Sequence, residues 1–425
     1  MRVSLLVTSI LALMTSAGLT IAGDWPAFRG PNGDGTADES GLPVEWGPET
    51  NIKWTVPLPA PANSSPIVSN GRVSVTCAEE RGQKRHLLCF DRTNGEMLWV
   101  KTVPFGKVAE THETNPYCGS TPAADGERVV VWHGSAGIHC YDFYGELVWS
   151  QQMGEFNHVW GYGSSPIILH DKVIQLCGPG ARTKLVAFNL ADGEILWETQ
   201  EPGSTDSEGG RYTSTWSTPV VVNVNGLTQL LVAMPTRVGG YSPETGELLW
   251  YVEGLSNDRS DVSYTSPLAR DDLGVMLGGF GGPAMGFRLG GSGDMTEQNQ
   301  LWRQAPTSPY NPQRIGSGII IGEHVYHANA DGPGSIVCFD LKTGEVCWEH
   351  KRTKDGPHWG SMVYADGRLY VTGQQGVTTV FAPNPDEFEL LAENDLGERS
   401  HSTPAMSNGE IFLRTYERLY CIAKD

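Results

Sequence analysis

One short pattern constrains this chain more than any other feature, because it returns at a nearly fixed interval. The heptad Arg92-Thr93-Asn94-Gly95-Glu96-Met97-Leu98, followed by Trp99, comes back as Asp142-Phe143-Tyr144-Gly145-Glu146-Leu147-Val148-Trp149 and as Ala191-Asp192-Gly193-Glu194-Ile195-Leu196-Trp197. Further copies are Glu244-Thr245-Gly246-Glu247-Leu248-Leu249-Trp250 and Lys342-Thr343-Gly344-Glu345-Val346-Cys347-Trp348, and a looser one ends at Leu301-Trp302. Each copy reads as a turn whose glycine takes a positive φ, then a short strand that lays a branched residue and an indole on a neighbouring sheet. The tryptophans stand 46 to 53 residues apart. Self-similarity at that interval marks one small β unit repeated, of the length that a four-stranded propeller blade occupies.

A second marker opens each unit. A small hydroxyl residue precedes proline at Ser65-Pro66, Thr121-Pro122, Ser165-Pro166, Thr218-Pro219, Ser266-Pro267 and Thr403-Pro404, with Gly316-Ser317-Gly318 and Gly360-Ser361-Met362 as variants, so eight openings are visible. Between opening and tryptophan the signals are those of a meander: Ile67-Val68, a two-residue turn at Asn70-Gly71, an alternating strand Val73-Ser74-Val75-Thr76-Cys77 and a third strand Leu87-Leu88-Cys89-Phe90. Equivalent turns stand at Asp125-Gly126, Asp366-Gly367 and Asn408-Gly409. After Thr403-Pro404 the last unit lacks its tryptophan strand, and Asn51-Ile52-Lys53-Trp54-Thr55-Val56 supplies one from the other end of the chain. The expected fold is an all-β, eight-bladed β-propeller of four-stranded antiparallel blades whose ring is closed by the N-terminal strand, which leaves no open seam. Residues 51–425 form it, residues 23–50 a turn-rich arm, and residues 1–22 a secretory signal peptide: Met1-Arg2, an apolar run from Val3 to Leu13, and small residues up to Ala22-Gly23.

No other stretch has the apolar length that a membrane helix needs, and no cysteine near the cut offers a lipid anchor, so a periplasmic or extracellular protein is expected. A net charge of −19 excludes nucleic acid as a partner, since phosphates are repelled by an acidic surface. Eight cysteines in an exported chain raise the prospect of disulfides. Cys89, Cys140, Cys338 and Cys421, however, recur at one repeat position that Ala187, Gly240, Gly286 and Val380 fill elsewhere, which makes it a small core position in the third strand. Cys77 with Cys89, and Cys118 with Cys140, are the pairs that adjacent strands bring within reach. Without Cys-x-x-Cys spacing, no structural zinc site is expected. Asn32-Gly33-Asp34-Gly35 lacks the acidic series of a calcium loop.

The Thr-Gly-Glu-x-x-x-Trp turn strands, the Asp/Asn-Gly hairpins and the eight-unit count resemble the pyrroloquinoline-quinone-like (quinoprotein-like) β-propellers, over Ile52 to Asp425. The opening Trp25-Pro26-Ala27-Phe28-Arg29-Gly30-Pro31 is similar to exported members from planctomycete-type bacteria. That resemblance implies a fold shared by quinoprotein alcohol dehydrogenases and by the propeller lipoprotein of outer-membrane protein assembly. The dehydrogenases hold their quinone between an adjacent Cys-Cys pair and a tryptophan, with a Glu/Asn/Asp calcium site and an Asp base; no two cysteines are adjacent here and no matching acidic motif is found. The lipoprotein's anchoring cysteine is missing as well. No cofactor and no catalytic residue are therefore expected, and pyrroloquinoline quinone with calcium belongs to the alternative reading.

Function must then come from the site. In a propeller, the loops from each outer strand to the next inner strand converge on the axis at one face. Here those loops hold His112 and Glu113, His158 and Trp160, Arg211 and Trp216, Arg314, His358 and Trp359, and Arg399 and His401. Indoles supply apolar area and arginine supplies forked donors, the composition of a recognition surface; the competing reading is that Trp160, Trp216 and Trp359 merely plug the axial channel. Gly278-Gly279-Phe280-Gly281-Gly282-Pro283 has no Lys-Ser/Thr and opens no helix, so it is a turn and not a phosphate cradle. The expected function is that of an exported, monomeric, non-catalytic propeller binding a protein or carbohydrate partner through this face. The alternative is a quinone-dependent or other oxidoreductase on the same scaffold.

Overall fold

A computed structural model of the chain describes residues 23–204, 212–305, 313–330, 332–351, 353–354 and 356–424; the expected signal peptide lies outside the described residues. Eight antiparallel sheets of four strands stand in a ring. Blade 1 is Ile67–Ser69, Arg72–Glu79, Lys84–Asp91 and Met97–Pro104, and the others repeat this inner-to-outer order. Blade 8 takes Ala405–Ser407, Glu410–Arg414 and Arg418–Ile422 from the end of the chain and Ile52–Pro57 from its start, with Trp54 opposite Cys421. The ring closes through the N-terminal strand as expected. The inner hairpins turn at Asn70-Gly71, Asp366-Gly367 and Asn408-Gly409 with both residues at positive φ, the geometry that matches strand twist. At Asp125-Gly126 only the glycine has positive φ, and the loop runs on to Arg128, whose carbonyl accepts the Asp125 amide.

The repeated glycine and tryptophan turn out to be one device. Five outer-strand indoles lie on the turn glycine of the next blade, and the Nε1–H of each donates to a carbonyl of that turn: Trp54 to Arg92, Trp99 to Phe143, Trp149 to Leu190, Trp197 to Pro243 and Trp302 to Leu341, at 2.8 to 3.0 Å; Trp348 donates likewise to Asn384, in a blade 7 turn without a glycine. A Cβ on Gly193 would sit 2.5 Å from the Trp149 ring and one on Gly246 would sit 2.4 Å from Trp197, so a side chain is excluded by contact as well as by the positive φ. Behind each indole, in its own blade, stands the small third-strand residue: Cys89 opposite Trp99, Cys140 opposite Trp149, Ala187 opposite Trp197, Cys338 opposite Trp348. The two disulfides considered from sequence do not form. Cys77 lies opposite His86 and Cys89 opposite Ser74, Cys140 opposite Val130 while Cys118 sits in a loop, and all eight thiols are free.

Two seams depart from this scheme. Blade 7 offers Ala392 opposite Val380 where others have an indole, and the arm fills in: Trp46 stacks near Tyr370 with centroids 6.5 Å apart, and Asn394 bonds Val44 and Trp46. Between blades 4 and 5, Trp250 is wholly buried but donates to Gln229 of its own blade, because the next unit replaces the usual turn with Gly293–Asp294 and one helical turn, Thr296–Asn299.

The arm enters the channel from the end opposite the long loops. Trp25 bridges Val68 of blade 1, Pro26 accepts the Ala124 amide of blade 2, Arg29 reaches the Gly318 carbonyl of blade 6, and Thr36–Ala37 pairs in parallel with Tyr364 and Ala365 of blade 7. The Trp25-Pro26-Ala27-Phe28-Arg29 run is thus the axial plug. The loop indoles, the alternative plug, leave the axis open above it.

Candidate functional site

The opening hydroxyls form a girdle around the axis. The amide of each donates to the hydroxyl oxygen of the next blade: Ser65 to Thr121, Thr121 to Ser165, Ser165 to Thr218, Ser266 to Ser317, Ser317 to Ser361, Ser361 to Thr403 and Thr403 back to Ser65, all at 2.9 to 3.0 Å. The step from Thr218 to Ser266 is made differently. There, Thr213–Thr215 and Asp261–Ser263, two stretches of successive axial loops, pair as parallel strands, and the pairing continues from the Trp216 amide to the Ser263 carbonyl at 2.8 Å.

Above the girdle lies a cavity of about 400 Å³ at the loop end of the channel. Its wall is a ring of the residues standing two positions before each girdle hydroxyl: Asn63, Gly119, Gly163, Trp216, Tyr264, Ile315, Trp359 and His401. Phe28 of the plug contributes from below, and His112, Thr114, Asn115, Trp160, Phe280 and Gln313 complete the lining. Two aromatic walls result. In one, Trp216 lies 5.7 Å from Trp160 and 5.3 Å from Tyr264, centroid to centroid, with His158 edge-on to Trp216 at 4.8 Å. The parallel pair fixes this wall, since Trp216 and Tyr264 directly follow its two strands. In the other, Trp359 stacks on His401 at 4.7 Å, and Tyr416 stands edge-on behind.

Of the residues singled out from sequence, His112, Trp160, Trp216, Trp359 and His401 line the cavity. His158 is buried behind Trp216. His358 is buried and bonded to Thr353, away from the lining. Arg314 is turned to the Gly282 carbonyl, Arg399 lies over the Tyr416 ring, and Glu113 is exposed outside the lining; Arg211 lies outside the described residues. Sequence reasoning missed Phe28, Asn63, Tyr264 and Phe280. Asn63 and Tyr264 carried a signal, their fixed place before Ser65 and Ser266, whereas Phe280 comes from a loop between second and third strands.

The expected focus of arginine at the rim is corrected by the geometry: among the described residues the lining carries no Asp, Glu, Lys or Arg. His401 is neutral at pH 7, because burial pulls its pKa down to about 4. Its Nδ1 lies 2.8 Å from the Tyr416 hydroxyl and 3.1 Å from the Thr114 carbonyl. The pocket residues do not fit a calcium–quinone centre. Calcium takes six to eight oxygen ligands with carboxylates among them, the described lining offers no carboxylate, and no group of three His, Cys, Asp or Glu among the described residues is placed to hold a metal.

The profile of the family described as outer membrane protein assembly factor BamB matches residues 84–350 and 332–423. Among solved structures the chain is similar to BamB from Moraxella catarrhalis, with a TM-score of 0.58 and 13% identity over 88% of this chain and 97% of that one. It is also similar to quinohemoprotein alcohol dehydrogenase from Comamonas testosteroni, with a TM-score of 0.65 and 13% identity over 95% and 81%. Tetrathionate hydrolase of Acidithiobacillus ferrooxidans is 24% identical over 146 residues, which are 31% of this chain and 28% of that protein, so the match spans under a third of that curated relative. At these identities the two structural likenesses show the fold alone.

Proposed function

The chain belongs to the family described as outer membrane protein assembly factor BamB, and on that premise we propose that it is an exported, monomeric, non-catalytic propeller that binds a protein or glycan partner through its loop face. The observation that supports this reading is the difference between the two ends of the channel. One end opens into a cavity walled by half-buried indoles, which offer apolar area to a ring-shaped group. The other is closed by the arm and by short hairpin turns. No helix among the described residues is long and apolar enough to cross a membrane, in keeping with a protein that acts in the periplasm or outside the cell.

The test is the double variant Trp160→Ala with Trp359→Ala, in mature protein recovered from periplasm or medium. One indole is lost from each wall, and neither takes part in blade docking, so the β-rich circular dichroism spectrum and melting curve should persist while partner capture is lost. Normal capture by the folded variant, with loss on changing the opposite face at Asp366 and Asn408, would overturn the reading. Saturable uptake of pyrroloquinoline quinone with calcium would favour the oxidoreductase reading instead.

A further inference from the structure

Five girdle hydroxyls, those of Ser65, Thr218, Ser317, Ser361 and Thr403, open into the cavity. The oxygen of each accepts an amide N–H from the preceding blade, and no described residue is bonded as acceptor to its O–H. A hydroxyl engaged in this way still has its hydrogen to give, so the lower ring of the cavity can donate to a bound group.

Beneath this ring sits Arg29, wholly buried. Its Nη2 donates to the Gly318 carbonyl, one residue past the girdle, and to the Asp34 carbonyl, both at 2.6 Å. Its Nε and Nη1 have no partner among the described residues. The Asp34 carboxylate is turned to Thr36 instead. Two more buried guanidiniums stand one residue behind the wall. Arg414 reaches the Ser64 hydroxyl at 2.7 Å, between the lining residues Asn63 and Ser65, and Arg85 reaches the Tyr162 hydroxyl at 3.1 Å, beside Gly163. The hydrogen bonds of all three go to carbonyl or hydroxyl oxygens. Burial lowers Arg29 and Arg414 to about 10, which leaves both charged at pH 7. A protein of net charge −19 thus keeps three cations, none bonded to a carboxylate, one beneath a neutral funnel and two behind its wall. Such a low-dielectric site favours a negative group.

We propose that the funnel takes a flat, apolar carboxylate, its ring between the Trp160/Trp216 and Trp359/His401 walls and its carboxylate directed down to the girdle hydroxyls and Arg29. This rests on the loop-face reading and adds the chemical class of the ligand. Both a free aromatic acid and the C-terminal aromatic residue of a partner chain present that chemistry.

Calorimetry on the mature protein with N-acetylphenylalanine and with its amide tests it, because the two differ only in the charge of the head. The acid should bind at least about tenfold more tightly. Arg29→Gln should bring the two within about twofold of each other, whereas Trp160→Ala should weaken both alike, as expected when charge and apolar contact act on separate parts of one ligand. A short peptide ending in phenylalanine that outbinds the free acid identifies the partner's C-terminus as the source; equal affinity identifies the free acid. Equal binding of acid and amide, binding of neither, or an unchanged ratio in folded Arg29→Gln overturns the proposal. If that variant does not fold, the wild-type ratio decides alone. Loss of acid preference with partner capture intact would remove this inference and leave the loop-face reading standing.

Discussion

Blades 2 and 3 meet in a way that blades 4 and 5 do not. At the first seam Trp149 lies on Gly193 and bonds the Leu190 carbonyl, while the Thr121 amide reaches the Ser165 hydroxyl at the axis. At the second, the Trp250 indole bonds within its own blade while its backbone pairs in parallel with Gly293 of the next unit, and the girdle step from Thr218 to Ser266 gives way to a short parallel ladder between loops. The loss of the repeat's two inter-blade links is matched by the construction of an aromatic wall, because the ladder carries Trp216 and Tyr264 into the cavity at its two ends. Where the units obey the repeat, their loops still reach the cavity, as Trp160 of the loop between blades 2 and 3 does. Where one unit departs from it, backbone pairing between loops fixes the placement of two wall residues, Trp216 and Tyr264.

The largest effect should come from removing an indole at a regular seam. Trp149→Ala, and Trp54→Ala at the closing seam, should each cost about 3 to 5 kcal/mol in urea unfolding, as for a buried large-to-small change. A chain begun after Pro57 that melts like the full protein would break the closing-seam half of the comparison.

The docking glycines sharpen it. Gly193 and Gly293 have nearly the same φ, 74° and 71°, yet a Cβ on Gly193 meets the Trp149 ring at 2.5 Å and one on Gly293 meets nothing within 4 Å. Alanine at either position bears the left-handed strain of about 1 to 2 kcal/mol, and Gly193→Ala should lose about 1 to 3 kcal/mol more through overpacking. In a double-mutant cycle, Trp149→Ala should relieve that extra loss, whereas Trp250→Ala should give no such steric relief to Gly293→Ala, since the two residues pair through their backbones and a Cβ on Gly293 meets nothing. Equal costs at the two glycines would mean that contact with the indole plays no part.

Blade number, closing strand and axial loops were legible in the sequence because each is periodic: a marker that recurs eight times locates itself. The wall was legible only in part. Trp216, Trp359 and His401 were found by their chemistry, while Asn63 and Tyr264 needed the register of two residues before the hydroxyl, which becomes meaningful once the girdle fixes the hydroxyls at one height. From sequence the plug is legible only as a turn-rich arm, since Trp25, Phe28 and Arg29 recur nowhere and their partners Val68 and Gly318 lie far along the chain. Charge misled for a related reason. Arg314 and Arg399 stand in the axial loops but turn to Gly282 and Tyr416, whereas Arg29, Arg85 and Arg414 come from the arm, a third strand and a second strand, where sequence alone suggests a solvated side chain.

The smallest of the three effects separates the two seams at the girdle itself. Ser165→Ala takes away the acceptor of the Thr121 amide, at a residue 1% exposed, and a buried donor left without a partner costs about 1 to 3 kcal/mol. Ser266 is buried to a similar degree, but among the described residues no girdle amide donates to its hydroxyl. Ser266→Ala should therefore cost only a few tenths of a kcal/mol. Stability in urea gives the difference, and hydrogen exchange locates it: the Thr121 amide should lose protection in Ser165→Ala, while the Thr218 amide should exchange alike in Ser266→Ala and in the unaltered protein. Equal losses of stability, or a Thr218 amide that becomes exposed when the Ser266 hydroxyl is removed, would show that the girdle runs unbroken through blades 4 and 5 and that the aromatic wall arises without any departure from the repeat.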